Sequence, residues 1–380
     1  MISESSYLAS RIVSASVERH FKHHIELARQ RGEKDLAPLP EAQAIENIID
    51  VSFWASLRRE EGYSPKISLA FLPPEMAGQP IVFEHRHPLT PAILTKLSPG
   101  LERPGVYLGV WQENDALYVW GTTLKIPNLC LVVDVSEPGL LVVKHRRVVG
   151  FGKFANVAIL QGDQVKIVDE RSASLPDCPA LLQSLLGSTS PSSWDDYENV
   201  LVQIAVSMRA HKRGGIMLVI PSETQSWRDS IIHPMKYVVS PAYDGIYYLM
   251  EQDIRDRSQV VWQTALRSEI ERVAGLTAID GATLITDKYE LLAFGAKISR
   301  KKGNSRVEQI LFNEPILGGV PKKINPSHNG GTRHLSAAQF LFDQRDALAL
   351  VASQDGHYTI FSWSPQAEMV QAHKIDTLLL

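Results

Sequence analysis

The chain is poor in features that would assign it to a specialised class. It has two cysteines, Cys130 and Cys178, distant in sequence and each beside apolar residues or a proline. That excludes a disulfide scaffold and a closely spaced thiolate metal site; core packing in a reducing compartment is the expectation for both. No stretch reaches the roughly 18–20 consecutive apolar residues of a membrane helix. The start, MISESSYLASRIV, has no basic segment ahead of an apolar one, so it does not read as a signal peptide and a cytoplasmic location is expected. Neither sign of charge dominates: the net charge is -3 and the pI is about 6.5. A protein that coats nucleic acid through concentrated positive charge is therefore excluded, whereas a small basic pocket is not. Also missing are a P-loop, a protein-kinase lysine and HRD set, a Rossmann glycine fingerprint, GxSxG and SxxK, which leaves covalent hydrolase chemistry without support.

What is present is a globular composition of 380 residues, 44% apolar and 21% charged, long enough for two or three domains. Residues 1–63 are expected to be helical. Leu8, Ile12, Val13, Val17 and Phe21 recur mostly at three- and four-residue spacings, and a second periodic run covers Ala44 to Leu57. His20 and His24 stand one turn apart but without an HExxH pattern, so they read as a solvated helix face with His23. Residues 64–185 are expected to form a β-rich α/β domain, with strands in KISLAF, IVFEH, LCLVVDV, GLLVVKHRR and VAILQGDQVKIVD. GVYLGVWQENDALYVWG reads as a hairpin and Pro91 to Leu97 as a short helix. His85 and His87 are taken as structural. KHRRVVGFGKF, residues 144–154, is either an anion-touching loop or a solvated strand end.

Residues 186–380 read as an α/β domain, entered through the Ser-rich break after SLPDCPALLQSLLG. A helix through ENVLVQIAVSMRAHKRG ends in a basic turn and Gly214, which suits a C-terminal cap. IMLVI is a buried strand, and Ile254 to Ala274 a helix with Ile254, Val261, Ala265, Ile270 and Val273 on one stripe. TLITDKYELLAFG is a hairpin, VEQILF a helix-like segment, HLSAAQFLFDQ a helix, and ALALVAS and YTIFSW are strands.

Three stretches carry chemistry. In IDGA, Asp280 offers a carboxylate to a cation and Gly281 permits close backbone approach. In GGTRH, Gly331 and its neighbour let N–H groups converge on an anion, Thr332 adds a hydroxyl, and Arg333 can pair bidentately with phosphate at a helix start. The plainer alternative is that Thr332 caps that helix. SQDG closes a strand with Ser353, Gln354 and Asp355. Lys301, Lys302 and Arg306 in SRKKGNSR form either a phosphate-steering loop or a solvated hairpin end. Together these residues suit phosphoryl or nucleotidyl chemistry, which requires positioning and charge stabilisation.

The order DGA, then G-T-R-H, an alanine-bearing helix, a D-A-L-x-L-V strand and an S-x-x-G turn resembles the diadenylate cyclase family, that of the nucleotide-binding N-terminal domain of DisA. The similarity covers about residues 190–365 and is densest from Ile279 to Phe361. It implies a mixed central sheet flanked by helices, binding ATP or a cyclic dinucleotide with Mg2+ or Mn2+. In the active form, two domains facing each other in a homodimer condense two ATP into cyclic di-AMP. By the same resemblance Asp280 would serve catalysis and the metal. Gly281, Ala282, Gly331, Thr332, Arg333, His334 and Ser353 would touch nucleotide, and His334 and Asp355 would join Asp280 at the metal. The family's second arginine falls on Leu335, and the first of its two glutamates on Gln354. Each lost interaction of this kind costs on the order of 10²-fold in rate, so two readings stand. One is a nucleotidyltransferase with a replacement cation; the other is an inactive, cyclase-derived sensor in bacterial signalling or defence. No DNA-reading helix and no membrane partner are expected.

Overall fold

The computed structural model describes residues 6–114, 116–148, 154–186, 196–252 and 260–380. By contacts the chain divides into two compact units, Met1–Asp169 with Leu380, and Glu170–Leu379. The architecture is mixed α/β, with two sheets each flanked by helices.

In the first unit, α1 (Leu8–Gln30) and α2 (Ala42–Ser56) lie on one face of an eight-stranded sheet. Val13, Val17, Phe21 and Ile25 repeat every four residues and are all buried, as are Ile45, Ile48 and Ile49 of α2. Leu8 and Ile12, expected on the same stripe, are exposed instead. Asp50 of α2 accepts from the backbone N–H groups of Ser6 and Tyr7, tying the start of α1 to its neighbour. These helices therefore share a core with the sheet rather than forming a separate segment over 1–63.

The first sheet contains β1 (Ile67–Phe71), β2 (Ile81–Pro88), β3 (Tyr107–Glu113), β4 (Ala116–Thr123), β5 (Leu131–Glu137), β6 (Leu140–Arg146), β7 (Phe154–Gln161) and β8 (Gln164–Ile167), in the order β2-β4-β3-β1-β5-β6-β7-β8. Period-two alternation sorts its side chains. Ile67, Leu69 and Val133 join the core under the helices, while Ala70, Val132 and Cys130 join a second core with Tyr107 and Trp120. There the Trp120 indole N–H donates to the Leu72 carbonyl at 2.8 Å. The expected hairpin is β3–β4, and the helix expected near Pro91 is α3 (Pro91–Leu97), capped by the Thr90 hydroxyl. The glycines of KHRRVVGFGKF lie outside the described residues.

The second unit begins at Glu170, earlier than the boundary expected after residue 185. Leu181, Leu182 and Leu185 of α4 (Ala180–Leu185) are buried, and α4 packs on α5 (Asp196–Ala210). The strands are β9 (Gly215–Ile220), β10 (Tyr237–Tyr243), β11 (Ala282–Thr286), β12 (Leu291–Ala296), β13 (Ile310–Asn313), β14 (Lys322–Ile324), β15 (Leu348–Ala352), β16 (Tyr358–Ser364) and β17 (Met369–Lys374). Their order is β10-β12-β11-β9-β15-β16-β17-β13-β14, with β9/β11 and β13/β17 parallel. The helices that follow β10 are α6 (Gly245–Met250) and α7 (Val260–Gly275); the first part of the helix expected from Ile254 lies outside the described residues. α8 (Thr332–Asp343) seats Ala337, Ala338, Phe340 and Leu341 on one face of the sheet. α5 and α7 pack together, and α5 also meets β15. Every residue of β9 is buried, as a strand covered on both faces requires. VEQILF contains a strand rather than a helix: β13 pairs in parallel with β17, a long-range partner that overrides the local pattern.

Candidate functional site at one end of the second sheet

Register brings several chain turns to one end of this sheet. Ala282 at the start of β11 lies beside Ile216, and Gly215 at the start of β9 lies beside Ala352 at the end of β15. The turns just outside these strands hold Asp280, Gly281, Gly214 and Ser353. Gly281 has φ +112, and a Cβ there would meet the Gly295 backbone at 2.5 Å, so this turn accepts only glycine. Gly214, with φ +69, lies beneath Arg333: a Cβ at Gly214 would stand 3.1 Å from Nη1. Its place after a basic helical turn marks Gly214 as a helix terminator, but nothing local signals that it also makes room for the guanidinium.

Asp280 is exposed and receives a hydrogen bond from the Lys297 ammonium at 2.5 Å. That bond and charge, joined by the nearby Arg333, hold its carboxyl below the usual range. Lys297 has no signature in sequence, because it reaches Asp280 only through the pairing of β11 with β12. Ala282 is buried in the strand.

Thr332 and Arg333 occupy the first turn of α8. Gly331 stands at the cap position and is extended, so no side chain caps the helix; the expected alternative of Thr332 as the cap is not what forms. The first amides of α8 are thereby left without a side-chain acceptor, a setting that favours an anion. His334 turns the other way. It is buried, its Nε2 lies 3.3 Å from the Thr359 hydroxyl, and its ring meets Phe361 edge-on. Burial lowers its pKa to about 4, with the charge of His357 adding to the effect. A neutral, enclosed imidazole offers a phosphate no charge. Leu335 packs against the apolar core.

Ser353, Gln354 and Asp355 form a turn in which the Ser353 hydroxyl accepts from the His357 N–H at 3.0 Å. Gln354 and Asp355 are exposed. Lys301 lies at the far end of α8: its N–H donates to Asp343, and its ammonium pairs with Asp229 at 3.2 Å. A twelve-residue helix is about 18 Å long, so this loop is remote from Thr332. Lys302 and Arg306 are exposed in the same loop.

Among the described residues, Asp280, His334 and Asp355 do not bring three donor atoms together. Mg2+ and Mn2+ favour several oxygen ligands, and one carboxylate already engaged by lysine does not fit that requirement. In the first unit, His20 and His24 on α1 present ring nitrogens within 4.8 Å of each other. Their rings are 4.3 Å apart and both lie near His145 of β6, at 5.2 and 5.6 Å. His20 and His24 are therefore packed rather than solvated, whereas His23 is exposed as expected from sequence. Burial, followed by the neighbouring histidines, keeps His20 well below the usual imidazole pKa.

A family model described as a probable sensor domain, DACNV, matches residues 34–124, from the segment ahead of α2 to just past β4. No curated protein matches the chain. Among the described residues, no helix is long and apolar enough to cross a membrane.

Proposed function

We propose that the chain is a nucleotide sensor, in which a cyclase-like second unit binds ATP or a cyclic dinucleotide without turning it over. The observation that carries this reading is the grouping of Arg333, Gly214 and the uncapped start of α8 beside an Asp280 already paired with Lys297. Such an end binds phosphate through arginine and amides. Among the described residues it gathers no set of carboxylates of the kind that phosphoryl transfer uses to hold metal ions. The match of residues 34–124 to a probable sensor domain supports the same reading. A cytoplasmic location belongs to this proposal.

The cyclase remains the second reading because Asp280, Gly281, Thr332 and Arg333 retain the family spelling. It needs Mg2+ or Mn2+ to displace Lys297 from Asp280, and a homodimer that sets two nucleotides face to face. The receptor needs neither. The full chain, incubated with ATP and Mn2+ and assayed by chromatography, separates the two. A melting shift with ATP or cyclic di-AMP, no cyclic product, and affinity reduced about tenfold or more in Arg333→Ala are expected. Cyclic di-AMP that disappears in Asp280→Asn would establish the enzyme instead. If neither ligand shifts the melting temperature, both readings fail.

A further inference from the structure

Lys144, His145, Arg146 and Arg147 read in sequence as one basic run, but β6 sorts them between its two faces. Lys144 pairs with Asp134, and the Arg146 guanidinium donates to the Ile126 carbonyl. Just past the strand, Arg147 donates to the Phe154 carbonyl at 3.0 Å. His145 takes the opposite face and extends the buried row of Leu141 and Val143 beneath the helices. There it meets α1, with its ring centroid 5.8 Å from that of Phe21, 5.2 Å from His20 and 5.6 Å from His24.

His20 and His24 stand one turn apart on α1, the spacing by which two histidines of a helix share one ion. Their ring centroids are 4.3 Å apart and their ring nitrogens approach within 4.8 Å. Imidazoles on one tetrahedral ion, bonded at about 2.0–2.1 Å, place their centroids roughly 5 Å from each other. The three separations of 4.3, 5.2 and 5.6 Å bracket that spacing. Two polar features fit the same arrangement. His145 Nδ1 lies 3.0 Å from the Arg146 carbonyl, so it carries the proton and Nε2 carries the lone pair. A backbone carbonyl on the outer nitrogen is how ligating histidines are commonly held. Among the described residues, His20 Nε2 is buried without a hydrogen-bond partner. Packing alone is better served by an apolar ring, which leaves no nitrogen unpaired.

We propose that His20, His24 and His145 form a metal site in the first unit, which takes a divalent transition-metal ion such as Zn2+. Neutral imidazoles suit Zn2+, Cu2+ and Ni2+, whereas Mg2+ and Ca2+ require oxygen ligands that this set does not offer. Half-buried His24 opens the cluster to solvent, and the fourth position is left for water. An ion there ties α1 to β6, so its binding stabilises the folded first unit. The site does not depend on the reading given to the Arg333 end.

The test uses the full chain, freed of metal by a chelator and titrated with Zn2+ or Co2+. One ion per chain, a higher melting temperature with Zn2+ and the visible absorption of four-coordinate Co2+ are expected. His24→Ala should weaken Zn2+ binding at least about tenfold, and so should His145→Phe, which keeps a ring against Phe21. His23→Ala, on the exposed face, should bind like the parent. Urea midpoints measured with chelator present show whether each variant is folded. If His145→Phe is not, the ring 15N resonances of His145 in the parent chain decide, and they should shift with Zn2+. The proposal is overturned if Zn2+ at about 100 µM, well above the dissociation constant of a three-histidine site, leaves melting unchanged. It is equally overturned if His24→Ala or a folded His145→Phe binds like the parent, or if those resonances do not move. Loss of binding in His23→Ala would mark a surface pair instead and overturn it too.

Discussion

Lys297 and Asp280 form an ion pair where two glycines, Gly281 and Gly295, bring β11 and β12 into close approach. The pair makes Asp280 a surface anion held by a surface cation rather than a free metal ligand. Both side chains are more than half exposed, so Asp280→Asn should change stability by at most about 1 kcal/mol, and less in high salt. The folded carboxyl is depressed, so its contribution is present above the ordinary carboxylate range and lost as pH falls through the folded value. Urea midpoints of the parent and the variant should therefore converge in acid; a large difference that persists there would refute the pairing as its source.

Gly281→Ala should cost about 2–4 kcal/mol, because the added Cβ strikes the Gly295 backbone and φ is +112. Gly275→Ala, at the end of α7 with open space around it, should be neutral or mildly stabilising. Thermal melting of the two variants side by side checks the contrast.

His334 and His373 are both buried, with pKa values lowered to about 4. An unfolded histidine titrates near 6.5, so between about pH 4 and 6.5 the unfolded chain binds more protons. Stability should rise with pH through that window, by on the order of 3 kcal/mol from His373 alone. A stability curve flat from pH 4.5 to 7 would show that at least one of these rings is not buried neutral.

In the first unit, Gly109→Ala should destabilise by about 1–3 kcal/mol, since its Cβ would lie 2.1 Å from the Trp120 ring. The indole is pinned by its bond to Leu72 and cannot simply swing aside. A urea midpoint equal to that of the parent would mean that the Trp120 packing yields.

Patterns contained within one element are legible in the amino-acid sequence. The spacing of Val13, Val17 and Phe21 announces α1, and the alternation either side of QEND announces β3 and β4. Relations between distant elements are not legible in this way. β13 is a strand because β17 offers it a partner some sixty residues later, and no local period encodes that. The T-R-H stretch reads as three polar groups in a row. A helix advances about 100° per residue, so Thr332 and Arg333 stay outside while His334 turns into the core. Asp280 is recognisable as a polar residue at a strand end, but its partner Lys297 emerges only from strand pairing. His20 and His24 look solvated in sequence because His145, which packs on them, comes from a distant strand.

The parallel pairing of β13 with β17 also sets an order of assembly during synthesis. Residues 310–313 leave the ribosome well before residues 369–374, with β14, α8, β15 and β16 made in between. Until β17 arrives, β13 has a single neighbour, the short β14. The β13–β17 pairing that sets Asn313 opposite His373 is therefore among the last parts of the second unit to come into existence. A nascent chain halted before Met369 would expose Leu311 and Ile310 along an unfinished edge, a natural target for chaperones.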